Sequence, residues 1–328
     1  TKLYTGTTAE QSITGVGFKP DFSWFKGRVG GGFDNSLRDI IRGSLKNLTS
    51  SNTAAETTQS DSVLSFDSDG FTLGTDANSF VNENGTPYVA WNWKANGQGS
   101  SNTDGSINTT YTSANTTSGF SIIQYTGNAT AGATIGHGLG KVPKMIIFRR
   151  YAQAENWGVY FSALGNTKSL NLNLTGAEAT DANFLNSTTP TSSLITLGTS
   201  VLSNASNPMI AYAFAEIPGF SKFSSYVGNG NNDGAFVYTG FKPAWIMFKK
   251  TSGTEGWIMA DNKRDPYNSV TKYLEANTNV AEGTGVDYDF LSNGFKFRTT
   301  SQNESGQTYI YMAFAGEPLV STNGNAAT

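Results

Sequence analysis

The sequence predicts an all-β protein made of antiparallel β-sandwich units in tandem, of a jelly-roll or lectin-like kind. Three observations carry this. There are 37 glycines against only 9 prolines, and Ser, Thr and Asn crowd the segments between apolar runs, the punctuation of a chain with many turns. The apolar runs are short and rich in β-branched and aromatic residues, and no helical stretch exceeds about two turns, so the crossover helices of a parallel sheet are missing. Six or seven such runs fall in every ~100 residues, as in a sandwich.

The runs also recur in a fixed order. The clearest signature is residues 226–250, from Tyr226-Val227-Gly228 through Phe241-Lys242-Pro243 into an apolar strand. Weaker copies lead from Tyr4-Thr5-Gly6 to Pro20 and from Tyr125-Thr126-Gly127 to Pro143, so tyrosine to proline spans 16, 18 and 17 residues. Beyond each proline a later strand opens at Phe71, Leu194 and Phe295, and an aromatic closing strand begins at Tyr88, Met209 and Tyr309. Spacing kept over such a length predicts three internal repeats of one ~100-residue unit. These are 1–96, 119–218 and 219–320, with a Gly/Ser/Thr/Asn-rich linker at 97–118 and a polar tail at 321–328.

In the first repeat, residues 22–25 read as a buried strand, with Pro20 fixing the turn before it. A glycine cluster follows at 27–32. Residues 36–42 form a short helix or an edge strand stopped by Gly43, and 67–70 is a turn between strands. Few apolar side chains occur in 97–118, which is why it reads as a linker. Strands of the second repeat are expected at 120–125, 144–149, 157–161, 169–174, 193–197 and 209–214, with Leu170, Leu172 and Leu174 alternating. Residues 216–226 run into the third repeat almost without a linker. The second and third repeats are therefore expected to dock firmly and the first to sit more loosely.

Charged residues make up 14% of the 328, and the net charge is -3. No Lys/Arg run exceeds two residues, which disfavours nucleic acid as a partner because phosphate neutralisation needs a clustered basic surface. A neutral Ser/Thr/Asn/Gly surface is common on extracellular and virion proteins. The absence of cysteine excludes disulfides, thiolate metal sites and a cysteine nucleophile. No apolar run approaches the ~20 residues of a membrane helix, so membrane insertion is not expected. Thr1-Lys2-Leu3-Tyr4 lacks the apolar region of a signal peptide. With no initiating Met, the chain is expected to be a fragment or a processed product.

The single histidine, His137, lies between glycines. Alone and without cysteine it does not make the usual zinc site, and no Gly-x-Ser-x-Gly elbow supports a serine triad, so it reads as a turn residue beside a strand. Two carboxylate pairs, Asp67/Asp69 and Asp287/Asp289, are candidates for calcium binding or glycoside hydrolysis. Neither carries the spaced oxygen ligands of a calcium loop, and turn capping is the preferred reading. Glu216 and Glu317 follow matching closing strands, but Lys94 and Ala95 stand there in the first repeat. Gly228-Asn229-Gly230 lacks the Gly-Lys-Ser/Thr of a phosphate loop. Sequons at Asn47 and Asn173 follow from composition. Most aromatics occupy repeat-equivalent positions (Trp24 with Trp245, Trp157 with Trp257, Phe71 with Phe295) and read as core. Tyr111, Tyr151 and Tyr267 fall outside that register and are the candidates for stacking on a sugar. No catalytic, cofactor-binding or metal-binding residue is expected, and no cofactor.

The combination of residues 221–230, 236–243, 289–296 and 308–315, with 132–140 and 89–94, resembles a widespread uncharacterised domain of tailed bacteriophages, frequent in virion and tail-fibre-like proteins of marine and freshwater phages. The resemblance covers essentially the whole chain. In those proteins further sequence usually precedes the stretch matching Thr1–Gly6. The resemblance implies a place in a phage particle and supplies no catalytic residue. The expected function is a non-enzymatic virion structural protein, a tail-fibre or appendage component contributing to host attachment. Its expected partners are its own copies in a trimer, other virion proteins, and a host-surface glycan or protein. The alternatives are a capsid decoration or head-fibre protein and, less favoured, a polysaccharide depolymerase.

Overall fold

Turn residues divide the chain into short strands, and each strand keeps its place through the side chains that its alternation turns inward. The computed structural model describes residues 1–316. The expected polar tail, the last residues of the expected third repeat and Glu317 lie outside the described residues.

The strands of the first stretch are β1 (Lys2–Thr5), β2 (Gln11–Thr14), β3 (Phe22–Gly27), β4 (Ser36–Asp39), β5 (Lys46–Thr49), β6 (Thr57–Thr58), β7 (Val63–Asp67), β8 (Gly70–Leu73) and β9 (Pro87–Trp93). Next come β10 (Tyr111–Asn115), β11 (Phe120–Thr126), β12 (Ala133–Gly136), β13 (Pro143–Arg150), β14 (Gly158–Phe161), β15 (Lys168–Asn171), β16 (Ala179–Thr180) and β17 (Leu194–Leu197). A single helical turn, α1 (Val201–Asn204), precedes β18 (Pro208–Ala215). The last stretch holds β19 (Ser221–Val227), β20 (Phe236–Tyr238), β21 (Pro243–Lys250), β22 (Ile258–Asp261), β23 (Val270–Glu275), β24 (Gly283–Leu291), β25 (Gly294–Phe297) and β26 (Thr308–Ala315). The protein is all-β, with antiparallel sheets and a sandwich-like architecture.

The described residues fall into two compact units. Unit 1 comprises Thr1–Leu174, Ala179–Ala215 and Asn277–Ala281. Unit 2 comprises Thr175–Glu178, Glu216–Ala276 and the chain from Glu282 onward. The first and second stretches, expected to meet loosely across a linker at 97–118, both lie in unit 1. The reason is in the expected linker. Tyr111–Asn115 is an edge strand paired along its length with β11, and Ile107 donates its N–H to Thr134 O at 2.9 Å while its side chain packs on the adjoining core.

Unit 1 contains a six-stranded sheet of order β1-β9-β3-β4-β5-β6 and a three-stranded sheet β2-β8-β7, with Phe25, Val63, Phe71, Leu73 and Ala90 packed in one cluster. It also contains a seven-stranded sheet, β10-β11-β18-β13-β14-β15-β16, and the pair β12-β17. Phe22, Phe120 and Tyr212 bring these sheets together, with ring centroids 5.9 and 4.6 Å from Phe22. In unit 2 a single eight-stranded sheet, β19-β26-β21-β22-β23-β24-β25-β20, places Phe248, Tyr288, Phe295 and Tyr309 in one core. Each large sheet sets an aromatic closing strand (β9, β18, β26) between an opening strand and the strand that follows the signature proline. These inner strands are buried along nearly their whole length, which is why they read as continuous apolar runs without alternation.

Other local expectations are also adjusted. Residues 36–39 form an interior strand between β3 and β5. Leu170 and Leu172 are buried, but β15 ends at Asn171 and Leu174 is exposed.

Candidate functional site

The signature residues are explained by a latch. Tyr4, Tyr125 and Tyr226 each send a phenol O–H to a backbone carbonyl, that of Val81, Ser203 or Gln302. Burial pushes all three phenols well above their usual pKa, so they remain donors. The residue after each accepting carbonyl is a buried asparagine. Asn82 Nδ2 donates to Ala9 O and Gly74 O, Asn204 Nδ2 to Thr130 O and Gly198 O, and Asn303 Nδ2 to Asn231 O and Thr299 O. Their Oδ1 atoms accept the N–H groups of Thr7, Asn128 and Asn229. The signature glycines allow this approach. A Cβ on Gly127 would lie 2.1 Å from Ala205 O, and Gly6 and Gly228 meet the same obstacle at 2.2 Å from Glu83 O and 2.3 Å from Glu304 O.

Buried cations are committed in the same way. Lys26 Nζ donates to Phe33 O at 2.6 Å and Thr278 O at 2.8 Å. Arg149 lies over the Trp157 ring at 5.3 Å and donates to Thr53 O at 2.7 Å and to Ala54 O. Lys249 donates to Thr175 O at 3.2 Å, and burial brings its pKa down to about 8. Each cation sits six residues after a signature proline. Two buried Asp–Arg pairs close the turns after β4 and β22. Arg42 Nε lies 2.5 Å from Asp39 Oδ2 and Arg264 Nε 2.6 Å from Asp261 Oδ2, with Glu56 and Glu282 on the respective Nη1 atoms. Sequence reasoning did not single out these asparagines, cations or pairs. For the cations, the fixed distance from the proline was the available signal.

The second turn builds a surface groove in unit 2. Asp261 Oδ1 accepts the N–H groups of Lys263 and Arg264, both at 3.0 Å, and Asn262 N–H is held by Ala244 O at 2.9 Å. Beyond it, Asp265 Oδ2 accepts the N–H groups of Thr271 and Lys272, each at 2.8 Å, and Lys272 Nζ lies 3.3 Å from Oδ1. Partial burial alone would raise the Asp265 pKa, but these backbone donors and the Lys272 ammonium bring it below the usual carboxylate range. Asn268 clamps the loop to β24 by donating to Phe290 O at 3.1 Å and accepting Phe290 N–H at 2.9 Å. The result is a cavity of about 180 Å³ bordered by Lys242, Asn262, Asp265 and Tyr267, with the buried Val270 and Phe290 also lining it. Tyr267 is 83% exposed. Among the described residues, neither the Lys242 ammonium nor the Asn262 side-chain amide has a hydrogen-bond partner.

The other residues singled out from sequence lie elsewhere. His137 is buried beside β12, with Nε2 3.2 Å from Thr191 O and Nδ1 accepting Leu139 N–H. Asp69 accepts the N–H groups of Gly15 and Gly17, and Asp67 accepts the hydroxyls of Ser65 and Thr72. Asp289 pairs with Arg298 and Glu216 with Lys222. Tyr151 accepts from Gln124 Nε2, and Tyr111 lies on the edge strand β10. The structure brings Tyr267 alone of the three aromatic candidates to the groove. Among the described residues, no group of three His, Cys, Asp or Glu side chains is placed to hold a metal ion, and no helix is long and apolar enough to cross a membrane.

Fold and groove together define an all-β protein in which many buried polar side chains fasten backbone to backbone and in which Lys242, Asn262 and Tyr267 border a surface cavity. The chain belongs to a family described as a domain of unknown function (DUF7483), whose sequence model matches residues 1–318. Neither a curated protein nor a solved structure matches it.

Proposed function

We propose that the chain is a non-enzymatic structural protein of a phage particle, a tail-fibre or other appendage component that presents a recognition surface to the host. The observation that carries this reading is the division of labour among polar groups. Lys26, Arg149, Lys249 and the two Asp–Arg pairs are spent on internal bonds, whereas Lys242, Asn262 and Tyr267 border an open groove. The phage-like sequence motifs and the sparsely charged, cysteine-free composition support the virion setting. We also propose that the chain consists of three copies of one unit, because the tyrosine–asparagine latch occurs at three places in the same order along the sequence. Assembly as a homotrimer is part of the proposal, in keeping with the closed symmetry of most homo-oligomers.

The test is a density map of the intact particle from the phage that encodes the chain. Threefold copies at the end of a tail appendage are the expected result. Copies spread over the capsid lattice would replace this reading by capsid decoration. Absence from the particle would overturn the virion assignment. Release of reducing ends from host polysaccharide by the purified protein would overturn the non-enzymatic one.

A further inference from the structure

We propose that the groove of unit 2 binds one acidic sugar residue of a surface polysaccharide, with Lys242 as the partner of its carboxylate and Tyr267 as the face on which its ring rests. This inference rests on the recognition role proposed above and names the ligand class of that site. Three features point to it.

The first is the balance of charge. Asp265 is the carboxylate bordering the cavity, but it is already matched by Lys272 at 3.3 Å and by two backbone N–H groups. Lys242 has no such partner among the described residues. The groove therefore holds one uncompensated positive charge, and an ammonium met by a carboxylate makes a charge-assisted hydrogen bond.

The second is the aromatic. A tyrosine left 83% exposed beside a cavity offers a flat apolar face with a polar end. Its backbone is held in place because the neighbouring Asn268 is clamped to β24 at both ends of its amide. The third is size and lining. At about 180 Å³ the cavity is smaller than the roughly 300 Å³ at which drug-sized sites begin. It suits one ring, with Val270 and Phe290 against its apolar edge and the free Asn262 amide positioned for a hydroxyl. A nucleotide would require more cationic groups than one lysine.

The test uses saturation-transfer NMR on the full chain, with a hexuronate trimer, a sialylated oligosaccharide and the methyl ester of the hexuronate trimer as probes. The expected result is transfer to at least one of the two acidic probes, at least about tenfold weaker binding in Lys242→Gln, and loss of transfer in Tyr267→Ala. Both side chains lie at the surface, and an unchanged melting temperature verifies that the variants fold. Binding is expected to weaken between about 50 and 300 mM salt, since the ion pair is solvent-accessible. Equal binding of the methyl ester would overturn the acidic class. Failure of both acidic probes, or binding unaffected by Lys242→Gln and Tyr267→Ala, would overturn the site. If the protein nonetheless adsorbed to host cells, the recognition role would stand and only this groove assignment would fall. If it adsorbed to none, both would fall.

Discussion

At Gly127 the side chain is absent because the carbonyl of Ala205 occupies its place, 2.1 Å from where a Cβ would stand. Gly127→Ala is therefore expected to destabilise unit 1 by about 2 kcal/mol or more through a forced backbone shift. Gly31→Ala, with nothing within 4 Å of its Cβ position, should be neutral to within about 0.5 kcal/mol. Urea unfolding of the two variants checks the contrast, and equal effects would show that the latch is not tight. Asn204 is a second local test. Its amide satisfies Thr130 O, Gly198 O and Asn128 N–H at 3.0, 2.8 and 2.9 Å. Asn204→Ala leaves the buried Gly198 O without this donor, while the exposed Asn128 and Thr130 can turn to water, and should cost about 1–3 kcal/mol. Lys249 gives a pH-dependent test. Its folded pKa of about 8 lies below the usual lysine value, so the unfolded state holds more protons between the two. This group's contribution to stability accordingly rises with pH from about 8 towards the lysine range. The difference in melting temperature between wild type and Lys249→Met is expected to move in favour of wild type from about pH 7.5 to about pH 9.5. A flat difference would mean that the lysine titrates normally.

Among elements, the turn after β22 does two jobs. Its buried Asp261–Arg264 pair ends the strand, and the same turn presents Asn262 and Asp265 to the groove. Burial alone would lower the Arg264 pKa, but Asp261 and Glu282 hold the guanidinium charged. Removing one partner strands the other, so Arg264→Met should cost about 3–5 kcal/mol, whereas Asp261→Asn with Arg264→Met should recover part of the loss. Thermal unfolding of the single and double variants measures this, and a double variant no better than the single would argue against a coupled pair. The corresponding Asp39–Arg42 pair in unit 1 also engages Tyr212, which donates to Asp39 Oδ2 at 2.8 Å, so that turn binds two sheets.

On the scale of the whole molecule, each compact unit is assembled from separate stretches of chain. Thr175–Glu178 belongs to unit 2, where Thr175 O receives Lys249 and Glu255 N–H. A chain cut between Ala215 and Glu216 would leave unit 2 without this segment, and amide exchange in β22 and β23 is expected to be faster in the C-terminal piece than in the full chain. Equal exchange would make the segment dispensable. The sequence by itself determined the all-β class, the antiparallel strands that follow Pro143 and Pro243, and the aromatic closing strands, because alternation, turn residues and fixed spacing are local properties. It also singled out Tyr267, an aromatic outside the register of the recurring strand pattern. Tertiary structure alone decided that Tyr111–Asn115 joins a sheet, that Lys242 and Asn262 meet Tyr267 at one cavity, and that Asn82, Asn204 and Asn303 fasten the latches. These depend on which distant carbonyls lack donors and which charges stay unpaired after folding, and such pairings are set by contacts across tens of residues that no local pattern encodes.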